Sequence, residues 1–212
     1  MKKILTILAI AFSINVFAED TTITVNAKDC SDNTPCAVIK SSANTLSQAL
    51  NGNASQKQTL SMIQSSIVPQ IDFTMITRRV LGQNAKSTSP EQLTQITNLF
   101  KQLLVNTYST ALSKFKGATV VIASSTIDSS KPYMGVVTST VTMQNNEKAQ
   151  PINVEYDLTN KTSNNTWKIY DVKIENVSIT STYRSQFNDI IQKNGVDGLI
   201  EQLQAKVNTN KK

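Results

Sequence analysis

Ile152-Asn-Val-Glu-Tyr-Asp-Leu158 alternates apolar and polar residues without a break. Successive side chains of a strand point to opposite faces, so Ile152, Val154, Tyr156 and Leu158 share one face, with Asn153, Glu155 and Asp157 on the other. One face is therefore buried and the other wet. Downstream, Asn160-Lys-Thr-Ser-Asn-Asn165 has turn composition, and Trp167-Lys-Ile-Tyr-Asp-Val-Lys-Ile174 reads as a further strand. Upstream, Val120 to Ile122 and Tyr133 to Met143 are rich in β-branched and aromatic residues. The four stretches are expected to form a twisted antiparallel meander with one apolar face.

Helical patterns flank this centre. Residues 41 to 66 place Leu46, Leu50, Leu60, Met62 and Ile63 in two short helices broken at Asn51-Gly-Asn53, and Ile67 to Leu81 follows, ending on Gly82. Ser89-Pro-Glu91 then offers an N-cap, a proline at the first helical position and an acid in the first turn. Leu93, Ile96, Phe100, Leu103, Leu104, Tyr108, Leu112 and Phe115 recur every three or four residues after it. A helix running to about Lys116 would be roughly 40 Å long at 1.5 Å per residue. After the strands, Tyr183, Phe187, Ile190 and Ile191 share a face before Gly195, and Leu199, Ile200, Leu203 and Val207 form a last amphipathic segment.

The first residues read as an export signal: Lys2 and Lys3, an apolar run from Ile4 to Ile14, then Val16-Phe-Ala18 with small residues at −3 and −1. A bilayer needs about 20 apolar residues, so the run is too short to span one; the alternative is a buried N-terminal helix. The expected organisation is a signal peptide at 1–18 and one domain at 19–212, located in the periplasm. The chain of 212 residues has 21 Lys and Arg against 15 Asp and Glu, and losing the two leader lysines leaves 19 against 15, or +4. This modest excess has no basic tract, so no nucleic-acid partner is expected; it suits weak attraction to anionic membranes, or simply a solvated surface.

Cys30 and Cys36 are the two cysteines. In an oxidising compartment the pair is expected to form a disulfide closing a small loop, with two free thiols as the alternative. The chain has no histidine, so no ordinary zinc site and none of the usual Ser-His-Asp or Cys-His chemistries is available. Neither a metal nor a catalytic cofactor is expected.

Helices at both ends of an antiparallel sheet with one apolar face imply an α+β fold, with the helices packed on that face. A curved sheet opposite long helices can enclose a hydrophobic cavity; the same residues can equally make a filled core.

Several blocks decide in favour of the cavity by resemblance: Ile67-Val-Pro-Gln-Ile-Asp-Phe73, Val80-Leu-Gly82, Phe100-Lys-Gln-Leu-Leu-Val-Asn-Thr-Tyr108, Trp167-Lys-Ile-Tyr-Asp-Val172, Ile174-Glu-Asn-Val-Ser178, Tyr183-Arg-Ser-Gln-Phe187 and Gly195-Val-Asp-Gly-Leu-Ile200. In order and spacing the chain resembles the MlaC, or toluene-tolerance, family of periplasmic phospholipid carriers. The resemblance implies a shuttle that maintains outer-membrane lipid asymmetry. It implies phospholipid as cargo, and as partners an inner-membrane ATP-driven transporter and an outer-membrane lipoprotein–porin complex. Two departures stand out: the tryptophan that family members usually carry shortly after the Leu-Gly is replaced by Gln83-Asn-Ala-Lys-Ser-Thr88, and Asn176 occupies a position where the family commonly has glycine. The expected cavity lining is Phe100, Leu104, Tyr108, Val137, Val141, Val154, Tyr156, Trp167, Ile169 and Phe187. Asp72, Arg78, Arg79, Asp171 and Arg184 are either partner or headgroup contacts, or structural ion pairs and caps.

Two rivals remain at this level. A cone-shaped enzyme would need an inward carboxylate, for which Asp171 is the nearest candidate; without a partner it makes no acid–base pair. A periplasmic chaperone would use the same apolar surfaces on unfolded protein.

Overall fold

The computed structural model describes residues 21–51, 55–112, 116–143, 150–162 and 164–209; the expected signal peptide lies outside them. Six strands form one sheet in chain order: β1 (Thr22–Val25), β2 (Ala118–Asp128), β3 (Lys131–Met143), β4 (Ile152–Thr159), β5 (Lys168–Ile174) and β6 (Val177–Ser178). The central four correspond to the expected meander. The sheet is nonetheless mixed and larger, because β1 joins β2 in parallel, Thr22 to Val25 against Thr119 to Ile122. β6 is a short antiparallel return on β5. Its turn, Glu175-Asn176, takes positive φ at both residues, 48° and 64°, as a two-residue primed turn requires. Asn176 thus adopts the left-handed conformation that asparagine tolerates.

Among the described residues, five α-helices pack around the sheet. α1 (Pro35–Asn51) starts inside the loop closed by the Cys30–Cys36 disulfide, and α2 (Gln56–Met62) opens on a Ser55–Gln58 capping box. The chain then tightens irregularly: a π-helical turn at Ile63–Ile67, a 3-10 turn at Val68–Gln70, and an extended Ile71 that bridges to Ile169 of β5. The expected helix at 67–81 is therefore shortened to α3 (Phe73–Leu81), since Pro69 and extended Ile71 stop it from beginning earlier. Asp72 Oδ1 caps α3 by accepting from Met75 N–H at 2.8 Å, and Gly82 ends it at φ 56°. α4 (Pro90–Leu112) starts at a second capping box, Ser89 with Gln92. α5 (Ile179–Thr209) breaks at Gly195, φ 69°.

The helices do not all lie on one face, which corrects the sequence expectation. α1 sits on the apolar face so closely that a Cβ at Gly135 would lie 2.6 Å from Pro35 Cγ; only glycine admits that contact. Cys36 and Ile39 join Ile122, Val137, Leu158, Trp167 and Ile169 in one buried cluster. A second cluster binds α3, α4 and α5 through residues including Val80, Phe100, Phe187 and Leu203, and takes Tyr170 and Met134 from the sheet. Met134 alternates with Gly135 and so belongs to the opposite face. Tyr170 reaches that face through a register shift at Asp157/Leu158, opposite Ile169 to Asp171; such a bulge re-aims side chains. A third, small cluster holds Ile63, Val68 and Phe73.

Candidate functional site

Cross-strand register assembles the apolar face row by row: Val137 beside Tyr156, Ser139 beside Val154, Val141 beside Ile152, then Tyr156 beside Val172. α1 fills one end of this face. Toward the other end burial becomes incomplete, and Ile152, Val154, Tyr156 and Val172 are each half-buried. The helical side has a matching set: Leu46, Ile67, Leu104 and Val105 are half-buried and pack against the Ile63–Val68–Phe73 cluster. Ile71 touches all three clusters. A domain usually has one contiguous apolar core. Here three cores meet at a seam whose apolar residues are partly accessible.

The structure distributes the ten expected lining residues unevenly. Val137, Trp167 and Ile169 lie in the α1–sheet cluster, and Phe100 and Phe187 in the helix cluster. Phe100 is 0% exposed, with its ring 4.8 Å from Tyr183 and 5.0 Å from Phe187. Leu104, Tyr108, Val154 and Tyr156 are half-buried, and Val141 is buried beside them. Sequence reading missed Leu46, Ile67, Ile71, Val105 and Val172. Ile67, Ile71, Val105 and Val172 stood inside the quoted blocks, so their signal was present.

Polar groups in this region are few. Burial pushes the Tyr156 phenol up, eased by the neighbouring Ser139 hydroxyl. Burial, and then the Tyr108 phenol, push Tyr183 up to about 12. Asp72, Arg79, Asp171 and Arg184 have structural partners. Asp171 accepts from Thr180 N–H (3.1 Å), Thr180 Oγ1 (2.8 Å) and Ser178 Oγ (2.6 Å), capping α5. Arg184 donates from Nε to the Arg79 carbonyl at 2.8 Å, and the Arg79 guanidinium lies 4.6 Å over the Tyr170 ring. On the other face Asp157 is buried beside Lys173 at 3.2 Å, and burial lifts its carboxyl above the usual range despite that ammonium. The Lys173 amine is raised chiefly by its bond to Glu155. Among the described residues no group of acids and cysteines could hold a metal ion, and no helix is long and apolar enough to cross a membrane.

The family model for the MlaC protein matches residues 40–205. The chain belongs to the MlaC family. Among curated relatives, it is 24% identical to the intermembrane phospholipid transport system binding protein MlaC of Haemophilus influenzae, over 68% of this chain and 65% of that protein. It is 28% identical to a toluene tolerance protein of Pseudomonas putida, over 61% and 57%. The chain thus spans less than two thirds of the length of either relative. A phospholipid-binding protein from Ralstonia solanacearum, solved in complex with a phospholipid, superposes with a TM-score of 0.70 at 29% identity. That match covers 83% of this chain and 98% of the other. The MlaC match begins after the disulfide loop, so β1 and the Cys30–Cys36 closure lie outside it.

Proposed function

We propose that this member of the MlaC family is a phospholipid carrier of the periplasm, exported by a cleaved signal peptide at 1–18 and folded as one domain over 19–212. The half-buried apolar seam between the sheet and α1–α4 carries this reading, and the phospholipid-bound Ralstonia relative supports it. Acyl chains would lie between Val141, Val154, Tyr156 and Val172 on the sheet and Leu46, Ile67, Leu104, Val105 and Tyr108 on the helices, with Ile71 at the junction. Val137, Trp167, Ile169, Phe100 and Phe187 back this lining.

Two acyl chains expose about 30 methylenes at ~0.8 kcal/mol each, roughly 25 kcal/mol in water, which forbids free diffusion. Bilayer and cavity are both apolar, so transfer between them is nearly balanced and reversible. The headgroup stays at the mouth, giving broad headgroup tolerance. The partners are an inner-membrane ATP-driven transporter and an outer-membrane lipoprotein–porin complex. The function asks for no catalytic step, and the Asp171 carboxylate is committed to hydrogen bonds at the start of α5. Purification without detergent from a periplasm, followed by native mass spectrometry and lipid extraction, should give near-stoichiometric phospholipid. An apo protein that takes no lipid from vesicles refutes the carrier.

A further inference from the structure

Along β4 and β5 the apolar face opens in one direction. On β4, Leu158 is fully buried, whereas Tyr156, Val154 and Ile152 are half-buried. On β5, Ile169 is buried, Val172 is half-buried, and Ile174, opposite Val154, is 41% exposed. The first turns of α1 make the closed end. Pro35 sits on Gly135, and Cys36 and Ile39 pack in one buried cluster with Val137, Leu158, Trp167 and Ile169. Tyr156 and Val172, both in the proposed lining, pack against that same cluster.

α1 is tied down at both ends. The Cys30–Cys36 disulfide anchors its first turn. At its last turn, Asn51 Oδ1 accepts from Thr21 N–H at 2.8 Å, and Asn51 Nδ2 donates to the Thr21 carbonyl at 3.0 Å. Ser47 Oγ donates to the same carbonyl at 2.9 Å, and Gly117 N–H donates to Thr21 Oγ1 at 3.1 Å. Thr21 and Gly117 immediately precede the paired starts of β1 and β2, and β2 begins opposite the Met143 end of β3. Val141, near that end, pairs with Ile152 of β4. The helix therefore runs along the apolar face from its closed end toward the end at which Ile152 lies. The two walls have similar lengths. From Ile39 to Asn51 the helix rises about 18 Å, and from Leu158 to Ile152 the strand spans about 20 Å. An extended hydrocarbon chain advances about 1.25 Å per carbon, given bonds of ~1.5 Å meeting at ~111°. About 14 to 16 carbons thus reach from one end to the other.

We infer that the first turns of α1, with Ile39 innermost, form the floor of the acyl-chain site, so that the carrier selects against chains longer than about 16 carbons. The inference rests on the carrier reading. A bilayer covers every methylene of a longer chain, whereas a site with a fixed floor leaves the surplus in water at the open end. Each methylene left there lowers uptake about fourfold relative to the bilayer. Pro35, Cys36 and Ile39 precede the residues that the MlaC model matches, 40–205, so this end of the site is built partly from chain outside the family match.

The delipidated full chain is offered vesicles holding equal amounts of monounsaturated phosphatidylcholines that differ in chain length by two-carbon steps on both sides of the expected limit. The bound lipids are counted by native mass spectrometry. The wild type should take the shorter lengths evenly and lose about fifteenfold or more for each step beyond the limit. Ile39→Ala removes three carbons from the floor and should move the limit up by about one step, with the shorter lipids still loaded. Ile39→Val, which removes one methyl group, keeps the test open should the alanine variant fail to fold; it should raise uptake of the first excluded length about fourfold. A wild type that takes all lengths evenly, as it would if surplus carbons folded back into the seam, overturns the floor and spares the carrier. A limit that stays in place in both variants also overturns the floor. A wild type that takes no length at all overturns the carrier reading itself.

Discussion

Replacing Leu104 by glutamate separates lining from core. Leu104 is half-buried on α4 between the helix cluster and the Ile63–Val68–Phe73 cluster. In the lipid-free protein a carboxylate there reaches water, so the fold loses only part of a leucine's burial, about 1 kcal/mol. Once acyl chains cover the position, the charge must be desolvated without a partner, or take up a proton. Protonation is the cheaper route. From an ordinary glutamate pKa of about 4.3 to pH 7 it costs about 3.7 kcal/mol, at 1.36 kcal/mol per pH unit, a loss of about 500-fold in affinity. The same mechanism fixes a pH dependence. Affinity of Leu104→Glu should recover about tenfold for each unit the pH falls from 7 toward 4.3, while the wild type stays flat over that range. Vesicle extraction at several pH values measures this, and thermal unfolding monitors the fold. Phe100→Ala, one turn earlier on the same helix, is the contrast. Its ring is fully buried against Tyr183 and Phe187, so truncation should cost about 3–5 kcal/mol of stability. Wild-type lipid loading of Leu104→Glu at pH 7, or a loss of stability as large as that of Phe100→Ala, refutes the placement of Leu104 in the lining.

Three further outcomes follow from named contacts. Cys30→Ser with Cys36→Ser, or reduction of the bond, should lower stability by about 2 kcal/mol, the loop-entropy value for so short a closure, as read by urea unfolding with and without reductant. Asp171→Ala removes one of the two side-chain acceptors at the start of α5, leaving Ser178 Oγ on Ser181 N–H, and should lower stability by about 2 kcal/mol with lipid loading intact; an effect confined to loading would argue for a role beyond the cap. Asp157 has its folded-state pKa raised by burial, so above the ordinary carboxylate value the native state holds its proton more tightly than the unfolded chain. Stability should therefore fall as pH rises from the ordinary value through the raised one, and Asp157→Asn should flatten that slope in unfolding curves taken across mildly acidic pH.

Local chemistry made the long elements legible. Ser89-Pro-Glu91 marks the start of α4, and the alternation of Ile152 to Leu158 marks β4. What the sequence hid is non-local. β1 is four residues, Thr22-Ile-Thr-Val25, whose pairing with Thr119 to Ile122 spans nearly a hundred residues and runs parallel, so no turn announces it. The polar end of β2, Ser124-Ser-Thr126, lacks a strand's alternation and is held by β3 instead. The register shift at Asp157/Leu158 is equally silent, yet it turns Tyr170 into the cluster of α3, α4 and α5.

The candidate site shows the deeper limit. Phe100 and Leu104 stand one turn apart on a single apolar stripe, and periodicity gives them the same meaning. Their surroundings differ: Phe100 is enclosed by Tyr183 and Phe187, whereas Leu104 sits where two clusters approach without merging. A residue apolar because it packs on protein and one apolar because it packs on cargo answer to the same hydrophobic effect, so composition cannot separate them. Incomplete burial distinguishes the proposed lining from the core, and for the proposed carrier it has a physical use. Surface already closed within the protein leaves no gain for an acyl chain, while surface fully open to water would hold the chain too firmly to release. Half-buried residues around Ile71 lie between these limits, with the flanking cores of α1–sheet and α3–α5 keeping the walls in place when the seam is empty.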